Sequence, residues 1–124
     1  MGDESDEIQA FQLESRLTSL GCYLREVERD GAVYRVEYES IAGDEHGRVP
    51  PREAGKVVNV FRDLFEERDW PLGGVEATVT DLDGEPLVTW RVDPDWMRAL
   101  EAGDLTEVEF SRRVVDSFED EGEN

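Results

Sequence analysis

The segment YLREVERDGAVYRVEYESI, residues 23–41, decides the fold class. In its second half Tyr34, Val36 and Tyr38 fall on one side of an extended chain while Arg35, Glu37 and Glu39 fall on the other. That alternation belongs to a sheet with one buried and one wet face. Between the halves stands Asp30-Gly31, a two-residue link that tolerates the positive φ of a type I′ turn. A hairpin is therefore expected, with strands at 23–29 and 32–41.

Working outward, a second hairpin follows downstream. Val75, Ala77 and Val79 alternate with Glu76, Thr78 and Thr80, and residues 87–92 return after Asp83-Gly84. Between the hairpins, Ala42 to Pro51 reads as a loop, with two glycines and two prolines, and residues 52–67 as a helix with Ala54, Val57, Val58, Phe61, Leu64 and Phe65 on one stripe. Upstream, a helix from about Ser5 carries Ile8, Phe11, Leu17 and Leu20 and stops at Gly21. Downstream, Asp93-Pro94 opens a short helix that Gly103 ends. Asp104, with Glu107 three residues on, opens the last one. The order α-β-β-α-β-β-α-α predicts an α+β fold: a four-stranded antiparallel sheet of two hairpins with helices packed on one face. A shift of 53 residues aligns Gly21 with Gly74 and Asp30-Gly31 with Asp83-Gly84, so a duplicated αββ unit is an open alternative to shared turn chemistry. Residues 1–124 are expected to form a single domain, with disordered acidic termini at about 1–5 and 119–124.

Charge is the second strong signal. Asp and Glu number 32, the net charge is −19, and Lys56 is the only lysine among 13 cationic residues. There are only two isoleucines, Ile8 and Ile41, beside plentiful Val, Gly and Ala. In these respects the composition resembles that of small acidic cytoplasmic proteins of halophilic archaea. The resemblance implies adaptation to molar salt, where a carpet of carboxylates keeps water and cations at the surface. It names a habitat and no activity. The single Cys22 forms no internal disulfide and fits a buried role in a reducing compartment. No signal peptide or membrane span is evident, so a cytoplasmic location without membrane contact is expected.

Motifs with chemistry are few. Asp44, Glu45 and His46 lie together in Gly43–Gly47 and form the one candidate ligand loop, although adjacent residues rarely converge on one ion. Asp81, Asp83 and Glu85 echo a calcium loop without its full span. No nucleophile elbow, phosphate loop or dinucleotide fingerprint occurs, so catalytic, cofactor-binding and metal-binding residues are all read as none, and no cofactor is implied. Tyr23, Tyr34, Tyr38 and Trp90 lack the basic groove of a nucleic-acid stacking platform. The terminal helices carry more apolar side chains than they can readily hide, and Trp96, Met97 and Phe110 are the candidate interface for a homodimer or another protein. The expected function is thus a non-enzymatic protein-interaction or regulatory domain adapted to high salt. The alternatives are a small ligand-binding protein or enzyme using the loop around His46, a chaperone-like dimer, or a nucleic-acid mimic.

With a net charge of −19, self-repulsion is expected to weaken the fold in dilute buffer and to fade once the Debye length falls to about 3 Å. The melting temperature by circular dichroism should therefore rise between ~0.05 and ~2 M KCl, whereas a flat profile would contradict this account.

Overall fold

The computed structural model describes residues 4–121. Its elements run α1 (Glu4–Thr18), β1 (Cys22–Asp30), β2 (Val33–Ser40), α2 (Ile41–His46), α3 (Pro51–Glu67), β3 (Gly74–Thr80), β4 (Pro86–Val92), α4 (Pro94–Ala102), α5 (Glu107–Asp116) and β5 (Glu119–Asp120). The fold is α+β, as the patterning requires, but the sheet is mixed. Its order is β1-β2-β3-β4-β5, and the central pair β2/β3 is parallel. The antiparallel four-stranded sheet is corrected on both points. Helix α3 carries the chain back to the starting end of β2, so β3 enters beside Val33 at Gly74 and runs in the same direction. The fifth strand pairs Glu119 and Asp120 with Thr89 and Val88.

Both hairpins form, with refinements at the turns. Asp30 pairs with Val33, so the first link is Gly31-Ala32. Gly31 has φ +63° and Ala32 does not have a positive φ, which is the type II′ pattern and not type I′. A bulge between Leu24 and Glu26 shifts the alternation of β1. Cys22 and Leu24, and beyond the bulge Val27, thereby turn toward the helices. Arg25 reaches across the open face to Glu37 at 3.0 Å and Glu39 at 2.6 Å. The 53-residue offset does not describe a repeated unit in space. The parallel β2/β3 pairing makes β3 run opposite to β1, so superposing the hairpins in order would put their helices on opposite faces.

The helices cover one face. Tyr34, Val36, Tyr38, Val75, Ala77, Val79, Val88, Trp90 and Val92 point under them and are buried, and the α3 stripe Ala54, Val57, Val58, Phe61 and Leu64 packs onto these residues. Tyr34 stacks on Trp70 at 5.5 Å and tilts against Phe61 at 5.6 Å. In α1 the core side chains are Leu13 and Leu17, whereas Ile8 (55 % exposed) and Phe11 (67 %) project from the opposite side. The expected apolar face of this helix was therefore two faces, of which only one meets the sheet. The segment read as the loop 42–51 contains α2, because the Ser40 hydroxyl caps it by accepting from the Gly43 N–H at 2.9 Å. Helix α5 starts two residues later than Asp104 would place it. Asp104 and Leu105 still donate to the Ala99 carbonyl, and Thr106 with Glu109 forms the capping box.

Of the tails expected to be disordered, residues 1–3 and 122–124 lie outside the described residues, Glu4 and Ser5 are helical, and Glu119–Asp120 is β5. Ser117 places that strand: its Oγ accepts from the Arg91 N–H at 2.9 Å and donates to the Arg91 carbonyl at 3.1 Å. Among the described residues, no helix is long and apolar enough to cross a membrane.

Two glycines test this geometry. Gly31→Val is expected to cost ~1–2 kcal/mol, because a β-branched side chain is disfavoured at positive φ. A Cβ on Gly74 would lie 2.7 Å from Pro94 Cδ and collide with the Val92 carbonyl, so Gly74→Ala should cost more, at least ~2 kcal/mol. Urea unfolding in molar KCl measures both, and wild-type stability in either variant would mean that the turn or the β3 entry is misplaced.

Candidate functional site

The residues singled out from sequence do not assemble into one site. Asp44, Glu45 and His46 sit on α2 and diverge. Asp44 Oδ1 accepts from the Leu82 N–H at 3.0 Å, which ties α2 to the β3–β4 turn. Glu45 and His46 face solvent with 3.9 Å between Oε1 and Nε2. In the β3–β4 turn Asp81 Oδ1 accepts from the N–H groups of Asp83 and Glu85, both at 2.9 Å, so its carboxylate holds the loop's own backbone. Among the described residues, no three His, Cys, Asp or Glu side chains come together closely enough to hold a metal ion.

The terminal trio also separates. Met97 and Phe110 are buried in the core and are corrected as surface residues, because α4 and α5 turn these side chains inward to close the end and side of the sheet. Trp96 is half-buried and carries two guanidinium groups over its ring, Arg91 at 5.1 Å and Arg113 at 5.8 Å. Of the four aromatics on the hairpins, Tyr34, Tyr38 and Trp90 are buried. Trp90 Nε1 donates to the Tyr38 hydroxyl at 3.2 Å, and the Tyr34 hydroxyl donates to the Pro71 carbonyl at 2.7 Å.

The structure instead brings forward two places along α3. The first is a groove of about 400 Å³ between α3 and α5. Val58, Phe110, Val114 and Val115 supply apolar surface, while Arg52, Lys56 and Arg62 supply positive charge. Arg62 closes one end by a two-pronged pair with Glu107, each N–O distance being 3.2 Å. Arg52 and Lys56 take part in no ion pair among the described residues. Val115 is 44 % exposed and Val108, two turns earlier, 66 %, so the apolar surplus expected on the terminal helices exists but is carried by these valines. Gly55 lies mid-helix on the groove, and a Cβ built there would meet nothing within 4 Å.

The second place lies around the first turn of α3. Glu53 is 7 % exposed and is the only buried charged side chain among the described residues. Its Oε1 accepts from the Ser40 hydroxyl at 2.9 Å, and Oε2 has no partner. The Cys22 thiol adjoins the same carboxyl. Burial holds the Glu53 carboxyl above its ordinary value near 4.5, against the opposing pull of Ser40, Cys22 and Lys56. Burial, reinforced by Glu53, pushes the thiol up to about 12, so Cys22 stays protonated and unreactive. Glu53 also lines a cavity of about 320 Å³ together with Leu20, Ala42, Pro50, Arg52 and Lys56. Spacing held a signal for it: Glu53, Val57 and Phe61 are four residues apart, which puts the carboxylate on the buried stripe of α3.

The chain belongs to the family described as a domain of unknown function, DUF8159, whose model matches residues 4–124. No curated protein and no solved structure matches it.

Glu53 makes stability depend on pH in a stated direction. Its carboxyl binds a proton more tightly folded than unfolded, so its contribution is fully present below about 4.5 and is lost as pH rises through the raised folded value. Glu53→Gln cannot ionise. Its stability relative to wild type should therefore improve as pH rises above about 4.5 and level off once pH passes the raised folded value, in parallel urea titrations, and a difference independent of pH would contradict a raised carboxyl.

Proposed function

We propose that this chain is a non-enzymatic protein-interaction domain working at high salt, and that its partner enters the groove between α3 and α5 as an acidic, amphipathic segment. The observation that carries the reading is the pairing of exposed apolar surface with uncommitted cations, Arg52 and Lys56, in a chain of net charge −19. Over most of such a surface carboxylates repel an acidic partner; at this groove the sign reverses. In molar salt the attraction between charges is screened and apolar burial strengthens, so Val108, Val115 and the groove floor would supply affinity while the cations set orientation.

Gly55 supports the same reading. Glycine in a helix interior costs about 1 kcal/mol relative to alanine, and no neighbour among the described residues requires it here. A bare backbone at that point admits close approach by something outside the chain. The composition supports a setting such as the cytoplasm of a halophilic archaeon, where the acidic surface itself needs no partner to account for it.

Lys56 provides the test, because it is the only lysine. An amine-reactive cross-linker applied in molar KCl should join a partner to Lys56, the link should vanish in Lys56→Arg, and partner retention should fall in Val115→Glu. Retention unchanged in Val115→Glu, or links formed only through the chain's terminal amine, would sink the reading. A cross-linked product of twice the chain mass would instead identify a second copy as the occupant. Gly55→Ala, by the same logic, should raise stability by about 0.5–1 kcal/mol in urea unfolding and weaken retention.

A further inference from the structure

The fold leaves the outer face of α1 uncovered among the described residues. Leu13 and Leu17 turn into the core, while Ile8 and Phe11 stand exposed on the opposite side. Glu7 and Glu14 are exposed on the same helix. They are seven residues apart, so they lie along one flank of the apolar pair, about 10 Å from each other. Neither carboxylate forms an ion pair among the described residues. Helix α1 is thus itself an outward-facing, acidic, amphipathic segment, and exposed apolar surface of this kind marks a contact.

The α3–α5 groove has the complementary chemistry. Arg52 and Lys56 stand on its α3 side, and Arg112 is exposed on α5, four residues after Val108 and three before Val115, again with no ion pair among the described residues. Val108 and Val115 are also seven residues apart, so the apolar strip on α5 runs about 10 Å, the same length as two turns of a docked helix. Gly55 and Ser111 leave a gap in the groove wall, which suits an aromatic knob such as Phe11.

Both surfaces lie on the helical side of the molecule. Helix α1 packs beside α3, and α3 beside α5. Ile8 and Phe11 point away from the sheet, and the groove opens the same way between exposed Gly55, Asn59 and Val115. A two-fold axis between two helical sides therefore brings the strip of each copy to the groove of the other, and the pairing closes on itself. A net charge of −19 on each copy opposes this in dilute buffer. Molar salt removes the long-range repulsion and strengthens apolar burial.

We propose that the partner of the α3–α5 groove is a second copy of this chain, whose α1 lays Ile8 and Phe11 on Val108 and Val115 and sets its carboxylates against Arg52, Lys56 and Arg112. The inference rests on the reading of that groove as a site for an acidic amphipathic segment, and it adds the occupant.

The test uses the full chain at ~2 M KCl, where the Debye length is below about 3 Å. Light scattering should give twice the chain mass for wild type and for Leu82→Glu, which adds a charge at an exposed leucine outside both surfaces. Phe11→Glu and Val115→Glu should each weaken the dimer at least about tenfold, and Phe11→Gln and Val115→Gln repeat the comparison without added charge. Mixing singles out this contact, because Phe11→Glu keeps the groove and Val115→Glu keeps the strip. In amide NMR, labelled Phe11→Glu should show saturable shifts at residues 52–59 and 108–115 when unlabelled Val115→Glu is added, and none when unlabelled Phe11→Glu is added. A single-chain mass for wild type, a dimer unchanged in Phe11→Glu, or a mixed pair without groove shifts would each overturn the proposal. Retention of a different protein at Lys56 by Phe11→Glu, with its loss from Val115→Glu, would overturn the second copy as occupant and leave the reading of the groove standing.

Discussion

Burial of one face of α3 is the constraint on which the rest of the structure depends. Ala54, Val57, Val58, Phe61 and Leu64 are buried together, and the side chains they meet come from both hairpins and from α1 and α5. At roughly 25 cal/mol per Å² of apolar area removed from water, such a stripe outweighs any surface ion pair in the molecule. Its route also fixes topology. Because α3 recrosses the sheet before β3 begins, the two hairpins join through a parallel pair, and their polar faces merge into one open surface of Arg35, Glu37, Glu39, Glu76, Thr78 and Arg91.

That open surface and the helical side divide the charge differently. On the sheet, Arg25 and Arg35 are spent on Glu37, Glu39, Asp30 and Glu76. Along α3, Arg62 is held by Glu107, while Arg52 and Lys56 stand beside the buried carboxylate of Glu53 and above apolar surface. A protein that needs charge only to stay dispersed has no evident reason to assemble uncommitted cations, a bare mid-helix glycine and an unpartnered carboxyl oxygen within two turns of one helix. The functional reading rests on that concentration.

Local patterning made much of the framework legible. The alternation of Tyr34, Val36 and Tyr38 against Arg35, Glu37 and Glu39 gave the wet and dry faces of β2, and the stripe of α3 was readable residue by residue. Errors arose where a local signal had two outcomes. Ile8 and Phe11 looked like core but meet solvent, because no element among the described residues covers the far side of α1. Asp104 could cap a helix as well as Thr106, and closure of α4 onto Ala99 decided between them.

By itself, the sequence determined the α+β class, both hairpins, the buried face of α3 and the acidic, lysine-poor surface, since each follows from neighbours within a few residues or from composition. Tertiary structure alone decided that β2 and β3 run parallel, that Met97 and Phe110 point inward while Val108 and Val115 remain outside, and that Ser40 and Cys22 meet Glu53. The physical reason is distance along the chain. Ser40 and Glu53 are 13 residues apart, Arg62 and Glu107 are 45 apart, and only the closing of α3 over the sheet brings such groups within a hydrogen bond of one another.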